Sequence, residues 1–254
     1  MSLLKNIGLF AAVAGTALAI PVQLPDVHPG HPAPAYGGQN PGSAANNGDV
    51  VGALRLFDIR MLTFDVQNAN TIQFIVQMNY NDGDITLGDI NVANVTVRPG
   101  DIMVWNGPAI YAIPLVTHGL LTYGNLYQVN SLRTASDVLG NPSGINYRPN
   151  EFVWGNDNTG GSSLVANGTR SVASLGGSEI GVTITLSGSG AAWTQFTSDL
   201  LSGQIHFASA TCGNDILDGG VFGDPEVPEP MSMALVGTGL LGAALFGRRR
   251  IGKN

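Results

Sequence analysis

Hydrophobic and polar residues alternate with a period of two along much of the chain. The clearest example is residues 71–80, where apolar and polar side chains fall on opposite faces. The apolar face consists of Ile72, Phe74, Val76, Met78 and Tyr80. Because successive side chains of a strand point to opposite faces, this pattern predicts a strand with one buried face. The Asn81-Asp82-Gly83 that follows predicts a hairpin turn.

Shorter apolar segments recur between turn-forming pairs such as Pro99-Gly100 and Asn141-Pro142. They predict further strands at 92–97, 101–106, 110–116, 126–129, 152–154, 180–186 and 204–210, whereas residues 54–58 alternate only weakly. Helices are predicted only at 134–139 and 193–202, and the Thr/Ser/Gly-rich segment 158–178 is predicted to be a flexible surface loop. Many short strands with Gly-rich turns favour an all-β fold, a single β-sandwich or jelly-roll-like domain.

The amino-terminal residues have the pattern of an export signal. One lysine, Lys5, precedes an apolar stretch at residues 7–18, and Ala17-Leu18-Ala19 offers small residues for cleavage after Ala19. This arrangement predicts a Sec-type signal peptide over residues 1–19. Residues 20–49 are rich in Pro, Gly and Asn and predict an extended lead-in without a core of its own.

The carboxyl-terminal residues contain a second apolar segment. Residues 231–246 are 16 positions without a charge, which would span roughly 24 Å as a helix. Pro228-Glu229-Pro230 precedes this segment, and Arg248, Arg249 and Arg250 follow it. The order predicts a single transmembrane helix with its basic end in the cytoplasm. The predicted β domain is therefore 50–222, and the predicted sorting tail is 223–254.

Charge is distributed unevenly between the ends and the body. Residues 20–247, between the signal and the tail cluster, contain six arginines, no lysine and 18 acidic residues, a net charge of −12 against −7 for the whole chain. Such a surface repels nucleic acid and suits an exported protein. The single cysteine, Cys212, excludes an internal disulfide, and a buried thiol is the favoured interpretation.

The tail resembles the PEP-CTERM sorting signal of exported proteins of Gram-negative bacteria. The resemblance rests on Pro228-Glu229-Pro230, the Gly/Ala/Leu-rich segment 234–246 and the cluster Arg248 to Arg250. It implies recognition by an exosortase, transient anchoring in the inner membrane and removal of the tail. The implied destination is the cell surface or the extracellular matrix of bacteria that make exopolysaccharide.

Four stretches of the body also resemble a subgroup of PEP-CTERM proteins. They are residues 97–104, 124–129, 147–154 and 205–215. The resemblance implies a β-rich secreted domain without a defined activity and supplies no catalytic residue. We therefore expect a surface or matrix protein associated with exopolysaccharide that is not an enzyme and needs no cofactor.

Two alternatives remain open. Asp82, Asp84 and Asp89, supplemented by Asn81 or Asp101, could bind calcium, which would make the chain a calcium-stabilised adhesion module. A carbohydrate-binding protein or carbohydrate-active enzyme would need a carboxylate pair and aromatic platforms. The candidates are Glu151, Asp157 and Glu179, with Trp105, Trp154 and Trp193. A thiol dyad of Cys212 with His206 is a weaker hypothesis, because the two residue types need not face each other.

Overall fold

The computed structural model describes residues 21–25, 46–47, 50–51, 57–80, 87–92, 94–140, 142–143, 145, 147–158, 160–177, 179–213 and 215–220. Within these ranges the chain is mostly β-strand. The strands are β1 (Val22–Pro25), β2 (Asn46–Asn47), β3 (Val50–Val51), β4 (Ile59–Asn68), β5 (Thr71–Asn79), β6 (Ile90–Val92), β7 (Val95–Val97), β8 (Asp101–Asn106), β9 (Ala109–Pro114), β10 (Leu126–Val129), β11 (Leu132–Thr134), β12 (Phe152–Gly155), β13 (Ser162–Gly176), β14 (Glu179–Ser187), β15 (Gln204–Ala208) and β16 (Ile216–Gly220). The helices are α1 (Ala135–Leu139) and α2 (Gly190–Ser202).

Ten of these strands form one antiparallel sheet. Its order is β1-β4-β5-β14-β13-β10-β9-β8-β15-β16, while β2–β3, β6–β7 and β11–β12 form separate two-stranded sheets. The predicted all-β class is therefore confirmed.

The two ends of the large sheet lie close together. A Cβ atom added at Gly219 of β16 would lie 2.8 Å from the side chain of Leu24 in β1. The sheet thus folds over on itself in a barrel- or sandwich-like arrangement. The apolar faces of its two halves meet in the interior.

Aliphatic and aromatic side chains from both halves of the sheet form the main core. Strands β4, β5 and β14 contribute side chains such as Phe64, Phe74 and Ile184, and strands β8, β9 and β15 contribute others such as Ile102 and Phe207. Burying each such side chain contributes about 1.5–3 kcal/mol. Helix α2 packs onto this core, with the rings of Phe196 and Tyr111 5.1 Å apart in an edge-to-face arrangement.

The alternating pattern predicted most of the central strands well. Strand β5 buries Ile72, Phe74, Val76 and Met78, and β8 and β10 have the predicted bounds. Both predicted helices are present. The helix α1 begins with a capping box between Thr134 and Asp137 and ends at Gly140, whose φ of 67° suits glycine.

Three expectations about the strands are corrected by the structure. The predicted strand 92–97 is two strands, because the chain turns at Asn94 with a φ of 68°. The predicted surface loop 158–178 contains β13, whose small polar residues pair with β14 along its exposed length. Strand β4 was missed because irregularities near Ile59 and Val66 interrupt its alternation.

Several predictions fall outside the described residues. These are the signal peptide with Ala17 and Ala19, the acidic turn with Asp82 and Asp84, and the whole tail from 221. Among the residues that the structure describes, no helix is long and apolar enough to cross a membrane. Strand β1 lies inside the predicted lead-in, where it joins the edge of the large sheet.

Candidate functional site

A buried histidine lies in a tight turn after β9. The backbone N–H groups of His118 and Leu121 donate to each other's carbonyl oxygens, at 3.1 Å and 2.9 Å. Gly119, between them, has a φ of 50°, and a Cβ there would lie 2.5 Å from the Asp157 carboxylate. Glycine is therefore required at this position both by the backbone conformation and by the approach of Asp157.

Two carboxylates bind the His118 imidazole from opposite sides. Its Nε2 lies 3.0 Å and 3.1 Å from the two oxygens of Asp101, and its Nδ1 lies 3.2 Å from Oδ2 of Asp157. Burial by itself lowers the pKa of His118, but the charge and hydrogen bonds of Asp101 and Asp157 outweigh it and raise that pKa. Both ring nitrogens then donate, which is the imidazolium form.

Other groups hold these carboxylates in place. Asp157 accepts a hydrogen bond from Nη1 of Arg133 at 2.9 Å, and Asp101 accepts one from the backbone N–H of Gly155 at 2.8 Å. Although burial opposes it, bonding to His118 and the charge of Arg133 lower the pKa of Asp157. Because Arg133 directly precedes the N-cap of α1, the capped helix helps to position its guanidinium.

The indole of Trp154 covers one face of the imidazole. The two rings are stacked with centroids 4.1 Å apart and an angle of 4° between their planes. The indole Nε1 donates to the carbonyl oxygen of Pro99 at 3.1 Å, and the Arg133 guanidinium lies 5.8 Å from the ring centroid. Trp154 therefore contacts two cationic groups of the network at once.

A second buried histidine connects β15 to β16 and to the start of β12. Nδ1 of His206 lies 2.6 Å from Oδ1 of Asp218, and Nε2 donates to the Phe152 carbonyl at 2.8 Å. Glu151 approaches the same Nε2 at 3.5 Å. Burial lowers the pKa of His206, but Asp218 and Glu151 outweigh it and raise that pKa, whereas burial raises the pKa of Glu151.

Chemically, both networks stabilise charge in the interior and are poorly suited to proton transfer. An imidazolium whose two N–H groups are bonded to oxygens has no nitrogen lone pair with which to accept a proton. The side chain of His118 is 1% exposed and that of His206 3%. Each histidine thus holds neighbouring strands and loops together through its hydrogen bonds and ion pairs.

Comparison with known families supplies the functional information that this geometry lacks. The PEP-CTERM protein-sorting motif matches residues 226–250. The chain therefore contains a PEP-CTERM sorting motif near its carboxyl end. The motif includes the predicted sorting residues Pro228, Glu229 and Pro230 and the cluster Arg248, Arg249 and Arg250. It implies export and exosortase-dependent sorting toward the cell surface. Searches of curated proteins and of solved structures gave no match.

The carboxylates predicted for a sugar-cleaving site lie in different surroundings in this protein. Glu151 belongs to the His206 network and Asp157 to the His118 network. Glu179 begins β14, where its register partner in β5 is Asn79. Each of these three acids therefore has a structural setting of its own.

The predicted aromatic platforms are mostly buried. Trp193 is 2% exposed and Trp154 is 6% exposed, so neither offers a face to a sugar. Trp105 is half-buried, and its Nε1 donates to Oε1 of Gln204 at 2.6 Å. Only Trp105 of the three has an accessible ring surface.

The thiol-dyad hypothesis also finds no support in the geometry. Cys212 is 1% exposed and packs in the main core, as the sequence predicted for a buried thiol. His206 directs both of its ring nitrogens at oxygen atoms, so it has no free nitrogen with which to activate a thiol.

The calcium hypothesis can be followed for two of its candidate ligands. Asp89 pairs with Arg98 through both carboxylate oxygens, at 2.8 Å and 3.1 Å. Asp101 is bound to His118, as described above. In the described part of the chain, no cluster of three or more His, Cys, Asp or Glu side chains could hold a metal ion.

Sequence reasoning missed the role of His118 and its partners. Residues 101, 118, 133 and 157 have no regular spacing, so no motif connects them. One signal was present: the stretches 97–104 and 147–154, which resemble the PEP-CTERM subgroup, contain Asp101 and Trp154.

Proposed function

We propose that this protein is a non-catalytic component of the cell surface or extracellular matrix of a Gram-negative bacterium. After Sec-dependent export, its tail holds it at the inner membrane. An exosortase then cleaves the tail near Pro228-Glu229-Pro230. The released body associates with exopolysaccharide outside the cell. The matched motif at 226–250 is the observation that carries the proposal.

The short separation along the chain between the body and the motif supports anchoring of the body close to the membrane. The last described strand, β16, ends at Gly220, and the motif begins at residue 226. Only residues 221–225 separate them, so the body sits close to the membrane before cleavage. Residues 20–227 carry a net charge of −11, so the body resists adsorption to anionic lipid headgroups once it is released.

The interior networks support a structural role for the body. His118 and His206 are buried, and both are bonded on each ring nitrogen. Groups tied in this way fix neighbouring strands, as a stable extracellular protein requires.

The test compares sorting variants in a bacterium that contains an exosortase. Replacing Pro228, Glu229 and Pro230 together by alanine should leave the full-length protein in the inner membrane. The natural chain should instead appear outside the cell in a shorter form. Immunoblots of membrane and medium, with mass spectrometry of the carboxyl terminus, measure the two forms.

Asp224→Asn is the matched control, because it changes a carboxylate of the same predicted tail outside the matched motif at 226–250. It should be processed like the natural chain. Equal processing of the triple variant, or unchanged processing in a strain without exosortase, would overturn the proposal.

The two alternatives from the sequence have less support. Pairing of Asp89 with Arg98 competes with calcium, and burial of Trp154 and Trp193 removes two sugar platforms. A rise in melting temperature with millimolar calcium, reversed by a chelator, would favour the calcium-stabilised module over the present proposal.

A further inference from the structure

The edge strand β1 is joined to its neighbour in an unusual way. It pairs antiparallel with β4, with Val22 opposite Phe64 and Pro25 opposite Met61. Strands paired in this manner are commonly joined by two to five residues. Here residues 26–58 separate them. The connection is far longer than the geometry needs.

The groove that β1 occupies lies between the two ends of the large sheet. Among the described strands, β1 pairs only with β4, and on its other side it approaches β16, where Leu24 packs against Gly219. Val22 and Leu24 are partly buried against the main core, whereas Gln23 is exposed. A short strand with two apolar anchors thus fills a seam between β4 and β16.

From these observations we propose that β1 can occupy this groove in a second copy of the chain. A strand exchanged between identical molecules makes the same hydrogen bonds and apolar contacts that it makes within one molecule. Because the contacts are equal, the balance between the two forms depends on connection length and on local concentration. The partner is therefore another molecule of this protein, with β1 of one copy pairing with β4 of the other.

The connection is long enough for this exchange. Residues 26–45, which precede the paired strands β2 and β3, span at most about 70 Å when extended, and a domain of this size is on the order of 40 Å across. The composition of residues 26–49, rich in Pro, Gly and Asn, contains few apolar residues that would favour a compact core.

Anchoring at the membrane would favour the exchanged form. A strand tethered within its own chain has an effective concentration in the millimolar range for short flexible connections, and this falls as the connection lengthens. The sorting motif implies membrane-associated sorting, which confines many copies to one surface. Exchange should therefore increase with the density of the protein there and link copies into assemblies.

Cysteines at Gln23 and Thr63 can report which chain supplies β1, because these residues are direct partners across the two strands. Directly opposed positions in an antiparallel pair have a Cα separation within the range that a disulfide requires. Two full-length chains with different tags, one carrying Gln23→Cys and the other Thr63→Cys, are expressed together in an exosortase-containing bacterium. Non-reducing gels of the exported protein then show whether the tags become covalently joined.

We expect a disulfide-linked dimer carrying both tags, with a share that rises with expression level. The control replaces Thr63→Cys by Gln67→Cys, an exposed position on the same strand that lies out of register, and it should give no such dimer. Cys212 is buried and remains in every variant. A single chain carrying both Gln23→Cys and Thr63→Cys tests the pairing of β1 with β4 itself.

Two results would overturn the proposal. One is an intrachain disulfide in the double variant with no dimer from the mixed single variants, because β1 then stays in its own chain. The other is no disulfide in either experiment, because β1 then does not pair with β4. Processing of the tail is read from the same samples, so failure of exchange is distinguishable from failure of sorting.

Discussion

The imidazole of His118 and the indole of Trp154 lie parallel, with their centroids 4.1 Å apart. Face-on stacking of a cationic ring on indole is favourable, and it also restricts rotation of the imidazole. The ring is thereby held with one nitrogen toward Asp101 and the other toward Asp157. Trp154 of β12 thus orients His118, which lies in the turn after β9.

Removing the imidazole should strongly destabilise the protein. In His118→Leu, the buried carboxylate of Asp101 loses its cationic partner and Asp157 keeps only Arg133, which costs about 3–5 kcal/mol. Chemical denaturation of the exported protein measures this loss. Adding Asp101→Asn to the same variant removes the unpaired charge and should restore part of the stability, whereas Asp157 stays paired with Arg133. If His118→Leu alone unfolds at the same denaturant concentration as the natural protein, the imidazolium network is wrong.

Stability should decrease as the pH rises above neutrality. The pKa of His118 is raised, so its contribution is fully present below the ordinary value of about 6.5 and is lost as pH rises through the folded-state pKa. The raised pKa of His206 acts in the same direction. Asp157, whose pKa is lowered, contributes above its ordinary value of about 4 and loses that contribution as pH falls. Maximum stability is therefore expected between about pH 4 and 6.5.

Unfolding midpoints measured from below about pH 4 to well above about pH 6.5 show the loss of stability on each side of this maximum. His118→Gln should flatten the decline on the alkaline side, and His28→Gln, in the predicted lead-in, should leave it unchanged. If stability declines as steeply with pH in His118→Gln as in the natural protein, other groups cause the pH dependence.

Gly100 should not tolerate a side chain. A Cβ there would lie 2.3 Å from the carbonyl oxygen of Ala208 and 3.2 Å from that of Val153. Because both are backbone atoms, Gly100→Ala requires strands to move and should cost about 1–3 kcal/mol. Gly181→Ala is the matched control, since its nearest neighbour would be the Leu175 side chain at an ordinary 3.5 Å. Thermal unfolding should separate the two variants, and equal midpoints would contradict the packing described.

The exposed pair of Asp89 and Arg98 should contribute little stability. Their side chains are 50% and 40% exposed, so solvent screens the interaction, and Asp89→Asn should change the unfolding free energy by less than about 1 kcal/mol. Denaturation with and without calcium measures this contribution. A loss of several kcal/mol that appears only in calcium would instead show that Asp89 is a metal ligand.

The strands that sequence predicted well have one buried face and regular pairing. Strand β5 is an example, because the side chains from Ile72 to Met78 alternate without interruption. Strand β13 was missed because its residues are small, polar and largely exposed, and pairing with β14 determines its conformation. Local composition carries little information where the neighbouring strand supplies the constraint.

The sequence by itself determined where this protein is sent, because a sorting signal is a linear motif that a receptor reads from adjacent residues such as Pro228-Glu229-Pro230. It also determined the all-β class, since side-chain alternation is a local property. Only the tertiary structure decided that Asp101, His118, Arg133 and Asp157 form one network. The physical reason is that strand pairing and burial bring these distant residues together, and in a dry interior each charge requires the next as its partner.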